Sequence, residues 1–379
     1  MVVKAEQRIW TEGQGWSPSS SYLDQAQLVL AFGATAVIQD GNRVEEIRKT
    51  YPAAFVLGCS TSGEICGTRV LDDSLVVTAV HFQATNLKSA AIPLTDSKDS
   101  FAAGRRLARL IDHDGLVHVL ILSEGLAVNG SELVRGLVES LPHEVGVTGG
   151  LSGDGTRFQK TLVLTGSTSA TGTVAILGFY GSSLKVGYGS MGGWDSFGPE
   201  RLITRSEGNV LYELDGQSAL QLYRRYLGDH ASGLPSSGLL FPLSVRTKES
   251  DRPVVRTILG TDEKTQSLTF AGNIPQGAFG QLMKANFERL IDGACGAAKT
   301  SCEAIGSAPP DLALLISCVG RKLVLKQRIE EELESVREIL GQHTTMAGFY
   351  SYGEISPFSR NARCELHNQT MTITTFSER

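Results

Sequence analysis

The run Gly348-Phe349-Tyr350-Ser351-Tyr352-Gly353-Glu354-Ile355-Ser356-Pro357 constrains this chain more than any other stretch. An extended apolar approach turns there into aromatic, glycine and carboxylate, breaks at a proline, and returns as the alternating segment Met371–Phe376. Glycines beside tyrosines let backbone come close to a neighbour while flat amphipathic rings line the approach. Glu354, if buried, must be hydrogen-bonded or face a cavity. Two readings fit: a glycine-rich hairpin closing a domain, or one wall of a ligand site.

The rest of the chain alternates strand-length apolar runs with helical periodicity. Helices are expected over Tyr22–Phe32, Val44–Thr50, Phe101–Ile111, Ser131–Leu141, Gln217–Leu227, Phe287–Ile305 and Lys322–Leu340. Asn129 is placed to cap the fourth of these, with Glu132 three residues on. Buried strands are expected at Ala53–Leu57, Val117–Leu122, Val145–Val147 and Asp311–Ile316, and a short one at Ala34–Gln39. The pairs Ser74–Gln83 with Leu87–Pro93, and the series Phe158–Thr165, Gly172–Tyr180 and Leu184–Gly189, follow one another too closely for helical crossovers. The expected class is therefore α/β with mixed, partly antiparallel sheets and packed helices. At 379 residues the chain suits two domains. The expected division is 1–191 and 192–379, with a hinge in the glycine-rich segment Gly192–Pro199. The tripeptide Gly-Phe-Tyr recurs at 178–180 and 348–350, too short an echo to establish a duplication.

Composition narrows the function. A net charge of −5 leaves no basic surplus for nucleic-acid phosphates. No run reaches the roughly 20 apolar residues that span a bilayer, and the first residues lack a secretory apolar region, so the expected location is the cytoplasm. Six cysteines without a CxxC pair read as reduced thiols rather than a zinc site or a c-type haem attachment.

Four groups of residues carry possible chemistry. Gly58–Glu64 follows a buried strand, where α/β sheets place ligands, and offers Cys59, Ser60, Ser62 and Glu64. It is one residue from a nucleophile elbow, since Ser62 stands where glycine is needed, and no histidine is in register with it. Gly149–Gly155 offers Gly150 and Asp154, either as a tight turn satisfied by Asp154 or as a second ligand wall. Arg321, at a strand-to-helix turn, is either a clamp for a carboxylate or propionate or a surface arginine beside glutamates such as Glu332. Tyr352 and Glu354 belong to the opening stretch, and His367 follows it in Glu365-Leu366-His367-Asn368-Gln369-Thr370. His367 is weighed as a metal ligand against a structural hydrogen-bonding role, with Cys59 and Cys364 as rival soft ligands. The literal GxGxxG at 187–192 is followed by no helix and reads as a linker.

FYSYGEISP…ELHNQT resembles the C-terminal signature of the FIST family of sensory modules. LGCSTSGEI, ILSEGLAVNGSELVRGL and VTGGLSGDG resemble its N-terminal region, and SEGNVLYELDGQSALQLYRRYLG and SCVGRKL its C-terminal region. The resemblance implies an intracellular signal-transduction protein that binds a small ligand and has no catalytic role. It further implies, as the favoured reading, haem-dependent nitric oxide sensing with a histidine kinase or a diguanylate cyclase or phosphodiesterase as partner, and, as the alternative, sensing of amino acids or other metabolites without haem. A homo-oligomer is compatible with both. A hydrolase is the remaining alternative.

Overall fold

The computed structural model describes residues 3–21, 23–94, 96–247, 253–306, 308–358 and 362–379. Its main body is one strand pattern used three times. The first unit comprises β1 (Lys4–Thr11), β2 (Gly15–Ser17), β3 (Leu28–Gly33), β4 (Phe55–Ser60), the hairpin β5 (Glu64–Cys66) and β6 (Arg69–Leu71), and β7 (Ser74–His81). The second comprises β8 (Asn86–Pro93), β9 (Leu116–Ser123), β10 (Gly146–Leu151), the hairpin β11 (Val163–Thr165) and β12 (Thr168–Ala170), and β13 (Thr173–Tyr180). The third starts with β14 (Leu184–Met191) and resumes much later. Its remaining strands are β23 (Leu312–Cys318), β24 (Thr345–Ser351), the hairpin β25 (Gly353–Pro357) and β26 (Cys364–His367), and β27 (Met371–Glu378).

In every unit the second and third long strands are parallel: β3 with β4, β9 with β10, β23 with β24. The last strand returns antiparallel between the first and the second. Each hairpin leaves its own unit and completes another's sheet. β5 pairs with β24, β11 with β4, and β25 with β10, so the three sheets are exchanged in a ring. Leu30, Phe32 and Leu57 of the first unit, Leu120 and Phe179 of the second, and Leu314, Phe349 and Phe376 of the third belong to one apolar cluster between the sheets. Burial of these large side chains supplies the main driving force for closing the ring.

Helices cover the outer faces: α1 (Thr35–Gln39), α2 (Gly41–Thr50), α3 (Ser100–Ala108) and α4 (Gly130–Val138) on the first two units. α6 (Phe287–Ile305), α7 (Val319–Leu325) and α8 (Ile329–Leu340) cover the third. Between β14 and α6 the chain builds a second body, an eight-stranded antiparallel sheet. Its strands are β15 (Trp194–Glu207), β16 (Val210–Leu214), β17 (Gln217–Ser218), β18 (Leu243–Arg246), β19 (Val254–Arg256), β20 (Ile258–Asp262), β21 (Ser267–Phe270) and β22 (Phe279–Ala285). With α5 (Ala219–Leu227) it encloses its own core around Ile203, Leu220, Tyr223 and Phe270. The mixed α/β class is as expected from the sequence. No helix among the described residues is long and apolar enough to cross a membrane.

Several local expectations are corrected. The stretch 23–33 is not helical: Leu28–Gly33 is the fully buried strand β3, whose continuous apolar run satisfies helical and strand spacing equally (Tyr22 lies outside the described residues). Ala34–Gln39 is not a strand but leads into the short helix α1. Strands β7 and β8 form no hairpin and lie in different sheets. The long helix over 322–340 is two helices, broken at Lys326, whose backbone φ is +50°. Gly192–Pro199 is no free hinge, because Trp194–Phe197 pairs with Leu282–Ala285. Two of the GxGxxG glycines, Gly187 and Gly189, lie in β14, where a Cβ on either would strike a carbonyl of α6, so they serve helix-on-sheet contact. The Gly-Phe-Tyr echo falls on β13 and β24, which hold different places in their units. The genuine repeat is Ser62-Gly63-Glu64, Ser152-Gly153-Asp154 and Tyr352-Gly353-Glu354, each just beyond the third long strand of its unit.

Candidate functional site

Those three turns meet where the ring of sheets closes. Ser62 N–H donates to the Tyr350 carbonyl at 2.8 Å, Gly153 N–H to that of Ser60 at 2.9 Å, and Tyr352 N–H to that of Leu151 at 3.2 Å. Each unit thus clips onto another through its turn. Cys59, Ser60, Ser62, Glu64, Gly150, Asp154, Tyr352 and Glu354, scattered over 296 positions of sequence, are brought into one interlock and all are buried.

The interlock is packed solid. A Cβ on Gly153 would collide with Ser62 Oγ, and one on Gly150 with the Ile316 side chain. Ser60 Oγ accepts the Leu162 N–H at 2.9 Å and Ser62 Oγ that of Gly155 at 3.1 Å. Neither hydroxyl is bonded to a histidine among the described residues. Glu64 accepts from Thr61 Oγ1 and, at 2.6 Å, from Ser74 Oγ. Glu354 accepts from Ser351 Oγ at 2.7 Å and from Thr370 N and Oγ1 at 3.1 and 3.0 Å. Burial raises both carboxyls, to about 7 for Glu64 and about 8 for Glu354, with these hydroxyls opposing the shift. Asp154 accepts the N–H groups of Phe158, Gln159 and Lys160 and the Tyr352 hydroxyl, and Phe158 stacks on Tyr352 at 4.7 Å. Burial drives the Cys59 thiol well above its ordinary range, so it is no thiolate ligand.

Arg321 and His367 lie outside this cluster. Arg321 is fully buried, with Nε donating to Glu332 at 3.1 Å and Nη2 to the Leu290 carbonyl at 2.6 Å. It ties α7, α8 and α6 together: the glutamate partner is the one expected, but the arginine is buried rather than on the surface. His367 lies against Phe358, with Nε2 2.7 Å from the Ser356 carbonyl, to which it donates. Burial lowers its pKa to about 4, so the ring is neutral.

The open space lies elsewhere. A cleft of about 690 Å³ runs where α4 of the main body faces β26 and the second body. Val134, Val138, Val245 and Leu366 give it apolar walls, and Ser131, Arg256 and Asn273 stand along it as polar groups. Asn129 caps α4 by accepting from Glu132 N at 3.2 Å. The Glu132 side chain does not reach back in a capping box but bonds Asn273 Nδ2 at 2.7 Å and Arg135. Of the residues lining this cleft, the sequence singled out only Glu132, as a capping partner, and Cys364, as a rival soft ligand. Ser131 and Glu132 sit in the quoted ILSEGLAVNGSELVRGL motif, whereas Arg256 has no local signal because its place depends on the second body.

The sequence motif 365–370 is the joint between cleft and interlock. The Leu366 carbonyl accepts Arg256 Nη1 at 3.0 Å. Asn368 Oδ1 accepts Thr257 N at 3.2 Å while its Nδ2 donates to the Tyr352 carbonyl at 3.0 Å. Gln369 Nε2 donates to the Leu239 carbonyl and Thr257 Oγ1, and its own carbonyl accepts Trp194 Nε1 at 3.1 Å. Thr370 closes on Glu354.

The cleft is thus walled by two bodies and linked to a buried polar joint. Family models match the FIST N domain over residues 27–217 and the FIST C domain over 219–357, and the chain belongs to the FIST family. FIST domains are signal-transduction sensor domains that bind small ligands. Comparison with curated proteins returns no match. Among solved structures the chain is similar to a cyanuric acid hydrolase from A. caulinodans, with 8% identity over 100% of this chain and 99% of that one and a TM-score of 0.40. A second cyanuric acid hydrolase structure gives 9% identity, full coverage of both chains and a TM-score of 0.29. Likeness at that level carries no argument about activity.

Proposed function

We propose that this protein senses a small metabolite, such as an amino acid, in the cleft between its two bodies, acting by binding rather than turnover. Occupancy is passed to a separate signalling enzyme, of the histidine kinase or cyclic-di-GMP class that the family resemblance implies. One observation carries the reading: the cleft is walled by α4 and β26 on one side and the second body on the other, so a ligand there changes the contact between them. A ligand moves such an equilibrium only by binding one arrangement better than the other. The 365–370 joint gives the two arrangements something to differ in.

Haem held by His367 does not fit. The ring is absent from the cleft walls, and its Nε2 is committed to the Ser356 carbonyl. The Ser60 and Ser62 hydroxyls, taken up by backbone N–H groups, likewise do not favour acyl transfer.

Thermal unfolding against a library of amino acids and small metabolites tests the proposal, because binding to the native state alone raises stability by mass action. The expected hit raises Tm and slows hydrogen exchange in α4 and β26. A library without a hit, or a stoichiometric Soret band on adding haemin that responds to nitric oxide and vanishes in His367→Ala, would overturn it.

A further inference from the structure

Arg256 is the one deeply buried cation on the cleft wall, with 6% of its surface exposed. Its guanidinium is held almost wholly by neutral groups. Nε donates to the Asn273 carbonyl at 3.1 Å, and Nη1 to the carbonyls of Val255 and Leu366 at 3.3 and 3.0 Å. Nη2 reaches only Ser131 Oγ, at 3.4 Å. An arginine has five N–H donors, so one Nη2 hydrogen is left over. Among the described residues no carboxylate forms an ion pair with it. Arg321, by contrast, has Glu332, and Arg8, as deeply buried, is capped by the carbonyls of Pro18 and Ser19 away from the cleft.

Burying a charge without a direct ion pair is costly, and burial pulls the Arg256 pKa down to about 10, with the nearby charge of Glu365 opposing the shift. The cost is tolerated where an anion completes the site. Net charge along the cleft does not decide the matter, since Arg135, Arg256 and Arg363 face Glu132, Glu139 and Glu365. Depth decides it. Glu132 is already engaged by Arg135 and Asn273, and Glu365 and Arg363 are exposed on the rim. Arg256 presents a spare donor inside, beside the Ser131 hydroxyl, which only accepts in its bonds to Arg256 Nη2 and Asn273 N.

Glycine lets the backbone close in around the guanidinium. A Cβ on Gly272 would strike Ser131 Oγ and the Leu366 side chain and press on Arg256 Nε, and one on Gly130 would meet both Leu366 methyls. These two glycines let the first turn of α4, β26 and the loop after β21 converge on the guanidinium.

Resting on the sensor reading above, we propose that the cleft takes an oxyanion, a carboxylate or a phosphate, received by Arg256 Nη2 together with Ser131 Oγ. Arg256 ends β19 of the second body and Ser131 opens α4 of the main body. The anion therefore bridges the two bodies, and the ligand's charged group is the part that changes their contact. Planar fork geometry makes Arg, unlike Lys, suited to that role.

The test is thermal unfolding of the full chain in propionate, succinate or inorganic phosphate at constant ionic strength, with propionamide as the neutral counterpart. At least one anion is expected to give a saturable rise in Tm that propionamide does not. Arg256→Lys keeps the charge but loses the fork, and should weaken the apparent affinity about ten-fold. Because Arg256 also braces three carbonyls, Ser131→Ala provides a second variant that leaves the guanidinium in place, with a weakening of roughly three-fold expected. A carboxylate-only or phosphate-only response identifies the source of the oxyanion. An equal response to propionamide, an anion response unchanged in both variants, or no response to any of the three anions overturns the proposal. A neutral metabolite that raises Tm and protects α4 would leave the sensor reading standing while this inference falls.

Discussion

Glu64 and Glu354 occupy equivalent places in two of the three units, and both are sealed from water with only hydroxyls and one N–H for company. Folding raises the pKa of Glu354 from an ordinary 4.5 to about 8. The native state therefore holds that proton more tightly than the unfolded chain does. Its contribution to stability is fully present below about pH 4.5 and is lost as pH rises through about 8. Glu64 adds the same sign over a window ending near 7. Above about pH 6.5, where the buried neutral His367 and His118 no longer pull the other way, urea unfolding should show stability falling as pH approaches 8, and Glu354→Gln should flatten that slope by up to about 1.4 kcal/mol per pH unit. A stability that rises over that range, or a variant with an unchanged slope, would show Glu354 to be ionised throughout. Arg321 gives a lesson of the opposite kind. Its residue type suggested a ligand clamp, but fully desolvated arginines are paired, and Glu332 lay eleven positions away on the next helix.

At the scale of elements, close approach is what the glycines serve. Gly104 of α3 and Gly136 of α4 let the two helices touch: a Cβ on Gly104 would run into the backbone of Leu133 and Leu137, and one on Gly136 into that of Phe101. Backbone cannot yield as a side chain can, so Gly104→Ala should destabilise the protein by about 1–3 kcal/mol in urea unfolding. A neutral result would mean that α3 slides freely on α4. Much of this level was legible in the sequence. Helix α6 was read with its observed bounds, and the Asn129 cap and the exposed hairpin turns follow from local chemistry. What failed did so for definable reasons. Leu28–Gly33 is buried on both faces and carries no period that separates helix from strand. The break at Lys326 is a backbone conformation that residue identity does not announce. The interlock residues stand in the sequence as separate candidate ligand loops, and nothing local says that turns 90 and 200 positions apart meet; the cleft depends wholly on such meetings.

For the molecule as a whole, the coupling runs through residues 365–370. Gln369, in a left-handed conformation at φ +64°, holds Leu239 and Thr257 of the second body by side chain and Trp194 by carbonyl. Gln369→Ala removes the side-chain bonds and should loosen the second body from the first. Hydrogen exchange is expected to quicken several-fold in β20 and around Leu239 while β9 and β23 stay protected, since local opening draws on the weakest cooperative unit. Uniform quickening through the molecule would mean that the two bodies open as one. The ring of exchanged hairpins has a consequence for synthesis. β5 and β6 leave the ribosome early, but their partner β24 lies some 280 residues downstream, so the nascent chain must carry an unmated edge until almost its last strands are made. Whatever shields that edge in the meantime, within the chain or from a chaperone, sets how much of this sensor a cell obtains from each message.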